Sequence, residues 1–463
     1  MKKKFHFNTL LMIFAVVVLV AISTWFLPGG EYARVFKDGK NLVDPNSFKF
    51  IENSPQGLGE ILMAPIKGFI EAAHIIVFLF VIGGAFNIIA NTGAITVGIK
   101  YLAIKFSREP HLQKFFIPVT MTLFSLGGTI FGMAEETMPF VLIFIPLSMA
   151  LGYDSIVGTA IPFLGAAAGF AGSVFNPFTV GVAQSIAELK LYSGMEYRIV
   201  IWVISTVCMI AFVMMYASKI KKDPTKSLVY EIDKQRAKEF HIDVNEEVVI
   251  ESKHKSVLFV FVAGMIFLVY GILKFHWYIN EIAALFLGLG IISGIVGKLS
   301  VDELTNSLKD GAKDMVGVAF IIACAKGILV VARDGKVLDL MLYSFSGAIQ
   351  GLHPILAAQA MFIVQGIINF FVHSGSGQAA LTMPVMAPLA DLVGISRQTA
   401  VLAFQFGEGW INPILPTSGV TMGVLGLAGI PYEKWFKWML PAQIFFFILA
   451  LLLLIPPFLI NYN

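Results

Sequence analysis

Charge is scarce in this chain. Asp, Glu, Lys and Arg make up 14% of its 463 residues, while 57% are hydrophobic and the mean hydropathy is +0.80. A soluble domain carries about 25% charge and 45–50% apolar residues, so this much apolar surface cannot be hidden in one core. A water-soluble globular enzyme is excluded, and lipid becomes the solvent. Cysteine is almost absent. Cys208 and Cys324 both fall in apolar runs and read as small buried hydrophobes. The 8 histidines show no His-Glu-x-x-His spacing, so neither a metal site nor a cofactor is expected. No nucleophile stands at helical spacing from a base, which argues against an enzyme. A net charge of +3 gives no reason to expect a nucleic-acid partner.

What charge there is lies in clusters. Lys2, Lys3 and Lys4 open the chain, and Lys100, Lys105, Arg108 and Lys114 form a second group. The richest runs from Lys219, Lys221, Lys222 and Lys226 through Lys234, Arg236 and Lys238 to Lys253 and Lys255. Lys and Arg accumulate in cytoplasmic loops. These three regions are therefore placed inside, in a multi-pass protein of the inner (cytoplasmic) membrane with a cytoplasmic N-terminus. The Lys-rich start followed by Leu10–Ile22 has the outline of a signal peptide, but in a polytopic chain it reads as a retained first span, Leu10–Leu27.

The chain also repeats itself. Gly132-Met133-Ala134-Glu135-Glu136-Thr137-Met138-Pro139, Gly152 and Phe175-Asn176-Pro177 recur as Gly375-Ser376-Gly377-Gln378 with Thr382-Met383-Pro384, Gly394 and Ile411-Asn412-Pro413. The offsets are 382 − 137 = 245, 394 − 152 = 242 and 412 − 176 = 236. Two hydrophobic halves, each interrupted by Gly, Pro and polar residues at its middle, are the sequence mark of an alternating-access carrier.

The segmentation follows. Residues 1–60 hold the first span and a polar outer segment. Residues 61–216 form repeat 1, with a hairpin at 115–151 and a broken helix at 155–187. Residues 217–256 are a cytoplasmic linker with a short helix near 230–240. Residues 257–463 hold two linking helices and repeat 2, with a hairpin at 354–393 and a broken helix at 397–429. Residues 57–72 read as an amphipathic surface helix, and further spans fall at 74–90, 198–216, 257–273, 281–297, 315–333 and 437–459. The fold class is an all-α polytopic membrane protein of inverted repeats, each with a re-entrant hairpin and a broken transmembrane helix. Five crossings separate span 2 from the corresponding span at 315–333, counting span 2 itself, and an odd number inverts the second half. The loop 336–354 holds one positive residue, Lys336, against four in its counterpart 98–114, as inversion requires.

Pro breaks a helix by removing a donor and crowding the preceding turn, so the Asn-Pro pairs mark the breaks. Freed backbone groups there suit ions: half-helix N-termini favour anions, and unwound carbonyls favour cations. Asn176, Thr179, Asn412, Thr417 and Ser418 add neutral oxygens at the breaks, and Thr137, Ser374, Ser376, Gln378 and Thr382 do so at the hairpin tips. Glu135, Glu136 and Glu408 are the sharper signal. A carboxylate at membrane depth costs at least ~2.5 kcal/mol and is normally functional. It can hold a cationic substrate, bind Na+ or carry a proton. A structural pairing with Lys326 or Arg333 is the plain alternative. His373 reads as a hydrogen-bonded tip residue.

The stretches at 132–139, 173–178 (Ser-Val-Phe-Asn-Pro-Phe), 373–378 (His-Ser-Gly-Ser-Gly-Gln) and 407–413 (Gly-Glu-Gly-Trp-Ile-Asn-Pro) resemble the YfcC family. That family belongs to the DcuC-like C4-dicarboxylate anaerobic carrier group of the ion transporter superfamily. The resemblance covers nearly the whole chain. It implies substrate and cation held between two hairpins and two broken helices, a transport domain moving against a scaffold, a possible homodimer, and exchange of basic amino acids. The carboxylate excess agrees with a secondary carrier for a small-molecule substrate, an amino acid or small organic ion, with cationic amino acid exchange favoured. The alternative is a C4-dicarboxylate or other carboxylate carrier coupled to Na+ or H+.

Overall fold

The computed structural model describes residues 9–463 except 38, 39, 96, 99, 100, 102–109, 238–249, 276, 278, 461 and 463. Lys2–Lys4, Lys100, Lys105, Arg108 and Lys238, used above to orient the chain, lie outside the described residues. Among the described residues, 8 helices are long and apolar enough to cross a membrane. The protein is thus helical and multi-pass.

Helix α1 (Thr9–Ser23) is shorter than the first span read from sequence. The polar outer segment is not merely turns. It folds into two small antiparallel ribbons, β1 (Gly29–Glu31) with β4 (Lys49–Ile51) and β2 (Arg34–Lys37) with β3 (Lys40–Val43). The amphipathic stretch forms α2 (Leu58–Glu71), followed by α3 (Ala73–Asn91). The first hairpin is α4 (Pro110–Phe131) and α5 (Met138–Ala150). Its first arm is a full 22 residues, longer than expected, because helix continues through the polar 110–114.

Next comes the first interrupted helix. Helix α6 (Ser155–Gly172) ends, a turn follows, Pro177–Gly181 winds as a wide π-type turn, and α7 (Val182–Ile186) resumes. Helix α8 (Met195–Lys222) carries the chain to the linker, where α9 (Tyr230–Arg236) is the short helix expected there.

Helices α10 (Ser252–Phe275) and α11 (Ile279–Val296) lead into the second half. Helix α12 (Val301–Asp314), which the polar sequence did not suggest, precedes α13 (Val316–Asp334). Residues 336–354, read as a loop, contain α14 (Val337–Ile349). The second hairpin is α15 (Pro354–Phe371) and α16 (Gly375–Leu392). The second interrupted helix is α17 (Arg397–Gly409), a 3-10 turn Asn412–Ile414, and α18 (Gly419–Ala428), before α19 (Tyr432–Leu453).

The order of elements recurs across the halves. α2 and α12 differ by 301 − 58 = 243 in their starts, and α3 and α13 by 316 − 73 = 243. Their packing is reciprocal: α2 lies along α13, and α12 lies along α3. Gly68 and Gly311, also 243 apart, each sit where an added Cβ would strike the partner backbone, at Ala323 and Gly83 respectively. Within each half the outer arm of the hairpin packs on the interrupted helix, α4 on α6 and α15 on α17. Small residues permit this approach, since helices in lipid associate by close packing rather than by hydrophobic exclusion.

Candidate functional site

The site is built where both hairpin turns meet both interruptions. In the first interruption, Ser173 takes a left-handed φ of 28° and stops α6. Asn176 Oδ1 then accepts from Phe178 N (2.9 Å) and Thr179 N (3.3 Å), capping the next turn with Pro177 at its start. Val174 N donates to Thr129 Oγ1 at 2.9 Å, which locks the break onto the end of α4. Gly132 (φ 73°) lies so near Asn176 that a Cβ would fall 2.6 Å from its Oδ1. Asn176 is fully buried, and its Nδ2 has no partner.

In the second interruption, Ser418 accepts from Thr421 N (3.3 Å) to start α18, and Thr421 Oγ1 donates to Asn412 O (2.7 Å). Glu408, 3% exposed, ends α17. Its Oε1 accepts from Asn412 Nδ2 at 3.3 Å, and its Oε2 is buried without a partner. Asn369 Nδ2, from α15, reaches Glu408 O (3.1 Å) and Asn412 Oδ1 (2.9 Å).

The first hairpin turn is a single 3-10 turn, Glu135–Thr137. Glu136, 5% exposed, folds its carboxylate back onto Ala134 N (2.9 Å), and Thr137 Oγ1 donates to Ala134 O (2.6 Å). Glu135 is half-buried and interacts electrostatically with Glu136, Glu408 and Lys326. At the second hairpin, Ser374 caps α16 through Gly377 N (3.2 Å). Gly375 presses against Thr179 of the first interruption, and a Cβ there would stand 3.6 Å from Glu408 Oε1. His373 Nε2 and Thr417 Oγ1 lie 3.1 Å apart. A small cavity of about 50 Å³ lies between the first turn (Met133, Ala134, Thr137), α6 (Phe163, Phe170) and the second interruption (Asn412, Ser418, Thr421).

Most of the residues singled out from sequence therefore gather at one place: Glu135, Glu136, Thr137, Asn176, Thr179, Glu408, Asn412, Thr417 and Ser418, with Ser374 and Ser376 beside them at the start of α16. Gln378 and Thr382 stand apart. They lie inside α16 rather than in a loop and turn to Gln365 of α15, with Gln378 Nε2 on Gln365 Oε1 (2.9 Å) and Gln365 Nε2 on Thr382 Oγ1 (3.0 Å). Arg333 pairs with Glu71 (2.8 Å), not with the glutamates of the site. Sequence reasoning passed over Asn369, Gln365 and Thr421. Asn369 and Gln365 had a signal: two amides four apart in an apolar helix share one face, and that face is turned inward.

A family model described as "C4-dicarboxylate anaerobic carrier", DcuC, matches residues 7–458. The protein "Putative basic amino acid antiporter YfcC" of Escherichia coli (strain K12) is 39% identical over 472 residues, covering 93% of this chain and 92% of its own. An uncharacterized protein of Haemophilus influenzae (strain ATCC 51907 / DSM 11121 / KW20 / Rd) is 30% identical, covering 95% and 94%. Among solved structures, the Alcanivorax borkumensis YdaH transporter is 15% identical over 96% of this chain and 97% of its own, with a TM-score of 0.43. Neisseria gonorrhoeae MtrF, presented with a class of antimetabolite efflux pumps, is 17% identical over 97% and 95%, with a TM-score of 0.42.

Proposed function

The chain belongs to the DcuC family and is a membrane transporter, and from that premise we propose that it exchanges cationic amino acids by alternating access. The observation that carries this reading is the charge of the site. Glu135, Glu136 and Glu408 come from two different halves, and Glu135 feels both others and one ammonium, Lys326. A dianion would meet repulsion there; a substrate with two positive groups would not. Glu408 Oε2 supplies a buried acceptor in need of a donor. The name carried by the Escherichia coli relative agrees with this reading.

The reciprocal packing of α2 on α13 and α12 on α3 supports inverted repeats, with each hairpin re-entering from its own side of an inner membrane and the N-terminus cytoplasmic. The site then lies between the halves near the midplane, and rocking of one set of elements past another exposes it alternately. An empty site of buried carboxylates crosses at high cost, so exchange, or co-binding of H+ or Na+, completes each cycle. A homodimer is compatible with this scheme.

Counterflow in proteoliposomes tests it. Labelled arginine or lysine should exchange, and Glu135→Gln, Glu136→Gln and Glu408→Gln should each reduce the rate at least about ten-fold, the scale of one lost charge-assisted hydrogen bond. Exchange of a C4-dicarboxylate instead, with no arginine or lysine exchange, would replace this reading by a carboxylate carrier whose glutamates serve the coupling ion.

A further inference from the structure

Lys326 is a lysine inside an apolar helix, flanked by Phe320-Ile321-Ile322-Ala323-Cys324-Ala325 and Gly327-Ile328-Leu329-Val330-Val331. It is half-buried, and its ammonium makes no hydrogen bond or close ion pair among the described residues. The other charges of its neighbourhood are already matched. Lys67 pairs with Asp334 (2.8 Å), and Arg333 with both Asp334 (3.4 Å) and Glu71 (2.8 Å), so two cations meet two anions. Lys326 is the third cation of this group and has no close pair of its own. Glu71 is its strongest charged neighbour, but it also acts on Glu135 at the first hairpin turn and on His373 at the second, and α13, which carries it, packs on α18 just beyond the second interruption.

An ammonium at membrane depth with no hydrogen-bonded counter-charge is costly and marks a functional group. With the three glutamates, it gives the site both signs of charge, in the proportion of several negative groups to one positive. A basic amino acid has the complementary pattern: two cationic groups and one carboxylate. We infer that Lys326 is the subsite for the substrate's carboxylate, and that it makes the carrier select basic amino acids over the amines left when their carboxyl groups are removed. This rests on the cationic amino acid reading above. A site that gains a charged hydrogen bond from a substrate group rejects the analogue lacking that group, because its own buried charge is then left unpaired.

The test is counterflow with arginine against agmatine and lysine against cadaverine, in the wild type, Lys326→Met and Lys326→Arg. The wild type should prefer each amino acid to its amine by about ten- to hundred-fold in kcat/KM. Lys326→Met should raise the KM of the amino acids about ten-fold or more and leave that of the amines unchanged or lower, abolishing the preference. Lys326→Arg, which keeps a donor and the charge, should restore much of it. A loss of equal size for amine and amino acid would make Lys326 a structural counter-charge and overturn the inference. So would an unchanged preference in Lys326→Met, or a variant too unstable to purify alongside a Lys326→Arg protein with no amino acid preference. A wild type that exchanges neither arginine nor agmatine refutes the cationic reading itself, a result distinct from all of these.

Discussion

Asn369 Nδ2 and Asn412 Oδ1 lie 2.9 Å apart, joining the second hairpin to the second interrupted helix. Through this contact one amide governs the break. Asn412 in turn reaches Glu408 Oε1, so the orientation of the carboxylate depends on a side chain that need never touch substrate. Asn369→Ala removes the donor to the partly buried Asn412 Oδ1 and to the buried Glu408 O. Leaving buried acceptors unsatisfied costs about 1–3 kcal/mol. We expect a lowered melting temperature in detergent together with a fall in transport rate. Asn369→Asp should be worse than Asn369→Ala for transport, since it sets a further anion beside Glu408. If Asn369→Ala melts as the wild type does, this bridge is not holding the break.

Within the first half the helices are held by backbone-to-backbone approach, and glycine is where this shows. A Cβ at Gly169 would collide with Ser125 O of α4, whereas a Cβ at Gly288 meets nothing within 4 Å. Gly169→Ala should therefore destabilise by about 1–3 kcal/mol or more, since helix backbones must separate. Gly288→Ala should be neutral or stabilise by about 0.5–1 kcal/mol, because only the backbone entropy of glycine is lost. Paired thermal melts in the same detergent settle the sign of each. Equal effects would mean that glycine is used at 169 for some reason other than contact.

Much of this was legible in the sequence, and the reason is the strength of proline and of charge as signals in apolar segments. Asn176-Pro177 and Asn412-Pro413 mark the two interruptions because proline cannot donate within a helix. Glu135 and Glu408 stand out because ionised groups are rare in such runs. What escaped did so for equally plain reasons. Helix α12 carries Asp302, Glu303, Asn306, Lys309, Asp310, Lys313 and Asp314, a composition that reads as loop, while its counterpart α2 carries Leu58, Ile61, Leu62, Met63 and Ile66 and reads as amphipathic. Ser374 reads as part of a hairpin tip, yet its side chain caps a helix, so Gln378 and Thr382 are helical and turn to Gln365. Side-chain pairing across α15 and α16 has no trace in the spacing of either alone.

The linker is anchored at the start of α6 through two buried carboxylates outside the spans, Asp154 beside α6 and Asp233 of α9. Asp154 Oδ2 accepts from Tyr216 Oη (2.6 Å) and Ser227 Oγ (2.7 Å), and Asp233 Oδ2 accepts from Ser155 N (2.8 Å). Burial pushes both carboxyls above their ordinary value of 3.8, and for Asp154 the nearby charge of Asp233 adds to this; Arg236 and Lys434 partly offset it at Asp233. A carboxyl raised in the folded state binds its proton before the released chain does. Docking is then strongest below the ordinary value and weakens as pH rises from there through the raised one. Hydrogen exchange in Tyr230–Arg236, corrected for intrinsic rate, should show protection falling as pH rises from about 4 to 7. The slope should be shallower in Asp233→Asn. Protection that rises with pH over that window would show that the hydrogen bonds to the charged form outweigh its burial.

Asp339 of α14 ties down the β ribbons. Arg34 Nη2 reaches Asp339 Oδ1 at 2.7 Å and Oδ2 at 3.0 Å, and Tyr32 N donates to Oδ2 at 2.9 Å. The partners are unequal. The Arg34 side chain is 41% exposed and that of Asp339 only 10%. An ion pair with one exposed member is worth at most about 1 kcal/mol, whereas stranding a buried backbone N–H costs about 1–3 kcal/mol. Asp339→Ala should thus loosen the ribbon more than Arg34→Ala, because it strands Tyr32 N as well as losing the pair. Asp339→Asn keeps an acceptor for Tyr32 N and should cost no more than Arg34→Ala. Adding Arg34→Ala to Asp339→Ala should change little further, since the arginine's carboxylate is already gone and only its long bond to Tyr32 O (3.3 Å) is lost. Limited proteolysis within residues 29–51 reads the ribbon directly and is insensitive to the spans beneath it. An Arg34→Ala protein cleaved as fast as Asp339→Ala would place the hold in the ion pair, and the Tyr32 N–H would then carry none of it.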